Sequence, residues 1–257
     1  TTGDGNTVMG YQAATSLTTG QRSVIIGYQA GDEMTSGGDS VIVGYGAGHS
    51  QTTSLENTLL GYYAGSEVTD GAYNTFVGSS AGQSATTPSD NTAVGSRAMA
   101  ATTTGSDNTA LGKSAMAANT TGSRNLAIGV QAYDASDTEN DNIAIGFDAM
   151  TTDTAGGQYN IAIGNYAADA LTSGDSNIAI GHNVASNLSS GGANVAIGHD
   201  ALLATTTQDN NTAVGYQALR ANTAGNNTAF GKNALVLNTT GDYNVAVGRS
   251  ALAANTT

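Results

Sequence analysis

Two histidines are the residues with the most obvious potential for chemistry. His182 and His199 stand 17 residues apart, and each directly follows an Ala-Ile-Gly segment. Two imidazoles brought to within about 5 Å by stacked strands could share a transition metal, with Asp200 as the nearest candidate for a third ligand. A fourth ligand is not evident, so we interpret both as surface histidines and predict no metal site.

Tyrosines form a second repeated set at the same position relative to a glycine. Four consecutive repeats carry one, and a fifth tyrosine adjoins the last: Tyr11, Tyr28, Tyr45, Tyr62 and Tyr63. Tyrosine is favoured at binding surfaces, and rows of aromatic rings suit sugar rings. The strip is therefore a candidate for receptor binding. The alternatives are an aromatic ladder within the chain and a contact between subunits.

Apart from the repeated positions, the sequence shows no group of residues typical of a catalytic site. The chain has no cysteine, which excludes disulfides and thiolate metal sites. Its glycine-rich turns lack the Lys-Ser pair of a phosphate-binding loop and the Gly-Gly-X-Gly-X-Asp pattern of calcium solenoids. We predict no catalytic residue, no cofactor and no enzymatic activity.

The charge is strongly acidic, with 7 basic against 20 acidic residues and a net charge of −13. Such a surface disfavours nucleic acid and anionic membranes as partners. No apolar run is long enough to insert into a membrane. Nine acids fall in one recurring loop, which we expect to face solvent: Asp4, Asp39, Glu56, Asp90, Asp107, Asp141, Asp175, Asp209 and Asp242.

The elements that position these side chains follow from a repeat. Its glycines recur every 17 residues, apart from one step of 18 and one of 16: Gly10, Gly27, Gly44, Gly61, Gly78, Gly95, Gly112, Gly129, Gly146, Gly164, Gly181, Gly198, Gly215, Gly231 and Gly248. A fixed period of this size indicates a solenoid in which each repeat is one coil. We predict an all-β parallel solenoid of about fifteen coils, forming one continuous domain over residues 1–257 as a segment of a longer fibrous protein.

The typical repeat contains a run Asn-X-Ala-Val/Ile-Gly, which predicts a short strand ended by glycine, and Ser23 and Ser40 replace the asparagine in two coils. Stacked asparagine side chains can hydrogen-bond along a ladder. We assign a structural ladder to twelve of them: Asn57, Asn74, Asn91, Asn108, Asn125, Asn142, Asn160, Asn177, Asn194, Asn211, Asn227 and Asn244.

The three strand residues are all apolar or Thr, so alternation leaves open which side faces inward. We expect the first and third to point into the coil. The middle residue is bulky in the first five coils and Ala thereafter, whereas the residue four past the glycine is small there and mostly large later. Such compensation predicts that the two columns touch, making residues 1–82 a differently packed subregion. We expect the middle column to pack against another chain, although a flattened two-layer coil could bury it alone.

Threonine recurs eight residues past the glycine, which raises ice binding as a remote alternative. Ice binding would require two parallel outward threonine columns on a flat face. The neighbours of this column are Gly on one side and a mixed Ala, Ser and Glu set on the other.

The strand segments resemble a known family. Ser23–Gly27, Asn142–Gly146, Asn177–Gly181 and Asn194–Gly198 look like the Ser/Asn-Val-Ala-Ile-Gly repeats of trimeric autotransporter adhesin heads. Asn211–Leu219 and Asn227–Leu235 resemble repeats of phage tail-fibre and related surface-fibre proteins. The resemblance implies a left-handed parallel β-roll, assembled as a homotrimer, with a structural or adhesive role.

We therefore expect a shaft or head of an extracellular, cell-surface or virion fibre that mediates attachment through many weak contacts. Its partners would be copies of itself and a cell-surface glycan or protein receptor. The main alternative is a purely structural filament subunit whose solenoids stack end to end.

Overall fold

A computed structural model describes residues 3–152 and 156–257. It divides into two compact units, residues 1–127 and 128–257. The described residues form three-residue strands joined by turns, with no helix. The strands are β1 (Thr7–Met9), β2 (Val24–Ile26), β3 (Val41–Val43), β4 (Thr58–Leu60), β5 (Thr75–Val77), β6 (Thr92–Val94), β7 (Thr109–Leu111), β8 (Leu126–Ile128), β9 (Ile143–Ile145), β10 (Ile161–Ile163), β11 (Ile178–Ile180), β12 (Val195–Ile197), β13 (Thr212–Val214), β14 (Thr228–Phe230) and β15 (Val245–Val247).

Successive strands pair in parallel within each unit. In the first unit β1 to β7 pair in chain order, and in the second unit β9 to β15 do the same, while β8 spans the boundary. Partners such as Val8 and Ile25 are one repeat apart. The predicted parallel β-solenoid of about fifteen 17-residue coils is therefore confirmed.

The two irregular steps leave the ladder intact. Ile143 pairs with Ile161 across the step of 18, and Thr212 pairs with Thr228 across the step of 16. Both changes in length are absorbed in the corner before the asparagine, because a slip within a strand would turn every side chain to the opposite face.

The prediction of which strand residues face inward is wrong by one position. The middle residue is the buried one in β2 to β15, from Ile25 and Ile42 through to Ala246, while the first and third residues remain partly or largely exposed. The period-2 alternation holds, but its phase is reversed. The interior of each coil is thus narrow, with room for one strand side chain per level.

The two compensating columns do touch. A Cβ added to Gly82 would clash with the Phe76 ring, and one added to Gly48 would lie 2.8 Å from Leu59 Cδ1. Where the middle residue is Ala, the partner position is filled by large buried side chains such as Met99 and Met116. This contact lies inside the chain's own coil, so the expectation that the middle column packs against another chain is wrong. A flattened coil buries it alone.

The turns depend on left-handed backbone conformations. Three positions in most coils have φ near +55°, including non-glycine residues such as Asp90, Arg97 and Met99 with φ of 59°, 60° and 53°. The glycine that ends each strand has φ near +140°, and a Cβ at Gly27 would overlap the carbonyl oxygen of Gly44 in the next coil. Only glycine tolerates both the conformation and this approach.

Among the described residues, no helix is long and apolar enough to span a bilayer.

Candidate interaction surfaces

The outward face of the strands, here called the strand face, is an apolar surface that the described residues leave exposed. The first and third residue of each strand point away from the coil, and most are Val, Ile, Leu or Thr. Exposed side chains of this kind occur along the whole series of strands: Val41 is 41% exposed, Leu111 48% and Phe230 56%. Seven strands about 4.8 Å apart, each presenting two side chains about 7 Å apart, give a face on the order of 200 Å² in each unit. Apolar patches of up to a few hundred Å² are ordinary on a single chain, and the largest of them is often functional.

The tyrosine strip is brought together as a stack. Ring centroids of Tyr11 and Tyr28, Tyr28 and Tyr45, and Tyr45 and Tyr62 are 5.3, 4.8 and 5.4 Å apart, with interplanar angles of 17°, 10° and 25°. Tyr63 meets Tyr45 and Tyr62 edge-on. Desolvation by its surroundings, together with Tyr45, raises the pKa of the Tyr63 phenol.

This geometry limits what the strip can bind. Stacked rings use their faces on one another, so the strip presents ring edges and hydroxyl groups. Sugar rings dock on open aromatic faces, whereas a row of phenol hydroxyls suits hydrogen-bond acceptors. The four stacked tyrosines remain 40–67% exposed.

The second unit carries a comparable row that sequence reasoning recognised only in part. His182 and His199 stack at 5.1 Å and 15°, His199 stacks on Tyr216 at 5.5 Å, and the Nζ of Lys232 lies 5.3 Å from the Tyr216 ring centre. Tyr166 meets His182 edge-on at 6.0 Å. Apart from Tyr166, these residues occupy the position after the glycine, as the tyrosine strip does. That shared position was the available signal.

The histidine pair lies beside the carboxylate of Asp200. His199 Nδ1 lies 3.2 Å from Asp200 Oδ1, and Arg220 Nε lies 3.9 Å from Asp200 Oδ2. The stacked arrangement sets the two imidazoles face to face rather than converging on a common point. Within the described ranges, no group of three or more His, Cys, Asp or Glu side chains is placed to hold a metal ion.

The asparagines assigned to the ladder lie inside the coil corner and bond from one coil to the next. The backbone N–H of Asn91 donates to Asn74 Oδ1 at 3.2 Å, and Asn91 Nδ2 donates to the Gly105 carbonyl at 2.9 Å. Asn74 Nδ2 likewise donates to the Pro88 carbonyl at 2.8 Å. The side chains of Asn74 and Asn91 therefore each join their own strand to the next coil and to the following corner.

The threonines considered for ice binding are also partly used by the fold. Thr35 Oγ1 donates to the Thr52 carbonyl at 3.2 Å, and Thr52 Oγ1 to the Thr69 carbonyl at 3.2 Å. Thr154 of the same column lies outside the described residues. Hydroxyls engaged in coil-to-coil hydrogen bonds are less available to order water.

Acidic residues fall into two environments. Eight of the loop acids are exposed, and Asp141 is half-buried. Arg22 donates from Nε and Nη2 to Asp39 at 2.6 and 2.7 Å, which holds the pKa of Asp39 below its ordinary value. Elsewhere, burial raises the pKa of Asp134, Asp148 and Asp169. The Oδ1 atoms of Asp148 and Asp169 are buried without a hydrogen-bond partner.

The chain was compared with known proteins at the level of sequence and of structure. Set against protein-family models, curated proteins and solved structures, it matches none.

Proposed function

We propose that this chain is a non-enzymatic, structural and adhesive segment of an extracellular or virion surface fibre, assembled from parallel copies of itself. The observation that carries the proposal is the strand face, on which largely aliphatic side chains of consecutive coils lie exposed. Exposure of such a face to water is unfavourable, and association of two or three copies through their strand faces would remove this apolar surface from water.

The number of copies follows from the resemblance to trimeric adhesin heads, which favours three. A homotrimer would bring three strand faces around one axis. The polar corners, with their threonines and acids, would then form the outer surface. Repetition of the same corner in every coil supports attachment by many weak contacts, whose combined affinity exceeds that of any one contact.

Sedimentation velocity of the full chain tests the assembly, and we expect a homotrimer. The matched variants are Leu111→Asp on the strand face and Thr104→Asp in a corner, both at exposed positions of neighbouring repeat segments. The first should dissociate the assembly because it places a charge in an apolar contact, while the second should leave it unchanged. A parent chain that sediments as a monomer at high concentration would overturn the proposal.

Attachment is tested separately, by binding of the assembled chain to cells and to immobilised glycans. Binding that saturates supports an adhesive role. Concentration-dependent end-to-end polymers without such binding would instead favour the filament subunit. Shaping of growing ice crystals would favour the ice-binding alternative. The two outward columns of the strand face mix Thr with Val, Ile and Leu, whereas ice binding would require two columns of Thr.

A further inference from the structure

The two edges of the strand face differ in charge. The edge before the strands carries the nine loop acids together with Arg22 and Arg124, whereas four of the seven basic residues lie one or two positions after the strand-ending glycine: Arg97, Lys113, Lys232 and Arg249. All four are exposed. In the part of the chain that the structure describes, none of them forms an ion pair.

The acids at the edge after the strand either lie beside basic side chains or are partly buried. Asp200 lies beside His199 and Arg220, and 14% of its side chain is exposed. Asp148 has a buried Oδ1. The edge after the strand is therefore basic where it carries accessible charge, in a chain whose net charge is −13.

Three of the four cations have an acid at the opposite edge of the same coil. Asp90 precedes β6 and Arg97 follows it, Asp107 precedes β7 and Lys113 follows it, and Asp242 precedes β15 and Arg249 follows it. Within one chain these partners cannot meet. The seven residues from Asp107 to Lys113 include an extended strand and span roughly 15–20 Å.

Rotational symmetry would bring them together. A rotation about an axis parallel to the direction in which coils stack keeps each coil at its own level. It places the edge after the strand in one copy beside the edge before the strand in the next. Such a contact joins two different surfaces and closes into a ring. An antiparallel pairing of faces would instead separate the matched levels.

We propose that the two edges of the strand face form the contact between neighbouring copies of this chain, with the cation after a strand paired to the acid before the same strand of the adjacent copy. This inference rests on the proposed self-assembly and specifies its direction and register. It also places the stacked tyrosines at the contact, since they occupy the same edge. Tyr62 would face the loop of Glu56, whose carboxylate can accept a hydrogen bond from a phenol.

The absence of cysteine permits a direct test. In the full chain carrying both Asp107→Cys and Lys113→Cys, mild oxidation should link each copy to the next and give covalent trimers on a non-reducing gel. A disulfide requires Cα atoms within about 7 Å, so a link within one chain is excluded by the strand between the two positions. The control carries Thr104→Cys with Lys113→Cys, in which one cysteine lies in the corner.

The outcomes separate the two proposals. Efficient cross-linking of the first variant and only background linking of the control supports the edge contact. An assembly of normal size in which both variants link equally, or neither links, overturns the edge contact alone. A parent chain that remains monomeric overturns both.

Charge reversal provides a second measurement that needs no oxidation. Lys113→Asp should weaken assembly about two- to fivefold per contact, as expected for an exposed pair, and the effect should shrink at high salt. Adding Asp107→Lys in the same chain should restore the parent affinity. A double variant weaker than both single variants would contradict the pairing.

Discussion

The compensation between Phe76 and Gly82 leads to a prediction that can be worked out in energy. Phe76 is fully buried, and a Cβ on Gly82 would lie 2.7 Å from its Cγ. The next coil solves the same packing problem with Ala93 and Met99, both fully buried. Replacing Phe76 and Gly82 by Ala and Met together should therefore restore most of the stability that either substitution alone removes.

Phe76→Ala alone should cost about 3–5 kcal/mol, because it deletes a buried ring and leaves a cavity. Gly82→Met alone should cost about 1–3 kcal/mol through overpacking, and about 1–2 kcal/mol more for a side chain at φ +56°. In the double variant the methionine fills the space left by the ring, so only the backbone cost and imperfect packing remain. We expect a favourable coupling energy of about 2–3 kcal/mol.

The assay is thermal unfolding followed by circular dichroism, in which about 1 kcal/mol shifts the midpoint by roughly 2–4 °C for a chain of this size. The control is Gly31→Met, a position in the same column whose Cβ would contact Ile25 and Ile42 rather than Phe76. Phe76→Ala should not rescue it. If the Phe76→Ala, Gly82→Met variant is as unstable as the two single losses combined, the compensating contact is wrong.

Three further predictions concern the ladder, the buried acids and the corner. Asn91→Ala should lower the free energy of unfolding by about 1–3 kcal/mol, because it leaves buried backbone groups unpaired, whereas the exposed Asn187→Ala should stay within about 0.5 kcal/mol in urea unfolding. Because burial and the neighbouring Asp148 raise the pKa of Asp169 above its ordinary value of 3.8, the folded chain binds the proton more tightly, and stability falls as pH rises from 3.8 through the raised value. Asp169→Asn should therefore gain on the parent over that range, and a melting difference independent of pH would argue against it. One glycine inserted after Gly105 should barely change the melting midpoint, whereas one inserted after Ala110 should abolish folding by shifting the strand register; equal effects of the two insertions would contradict the tolerance assigned to the corner.

The sequence was sufficient for the architecture because the spacing of one glycine column determines it. A glycine that ends a strand at every seventeenth residue, with an apolar triplet before it, leaves few alternatives to stacked coils. The shared position of the tyrosines likewise predicted their stacking. These features depend on periodicity alone, which requires no knowledge of which side of a strand is buried.

The same reasoning failed to predict which residues of each strand are buried. In a triplet such as Val24-Ile25-Ile26, all three residues are apolar, so alternation has no phase that composition can reveal. The uniform alanine from Ala93 onward was a usable clue, since a narrow interior admits only small side chains opposite Met99 and its successors. The left-handed conformation of Met99 was not predictable, because large side chains rarely adopt it and only the closed coil imposes it.

The glycine column described above also determines how such a protein can change in length. Because the carbonyl of one coil occupies the space that a side chain would need at the preceding level, every level is held at the same short separation from its neighbour. Removing or duplicating one whole period, such as residues 92–108, presents each remaining coil with a neighbour of identical shape. The chain can thus be lengthened or shortened by whole coils while the contacts between neighbouring coils are kept.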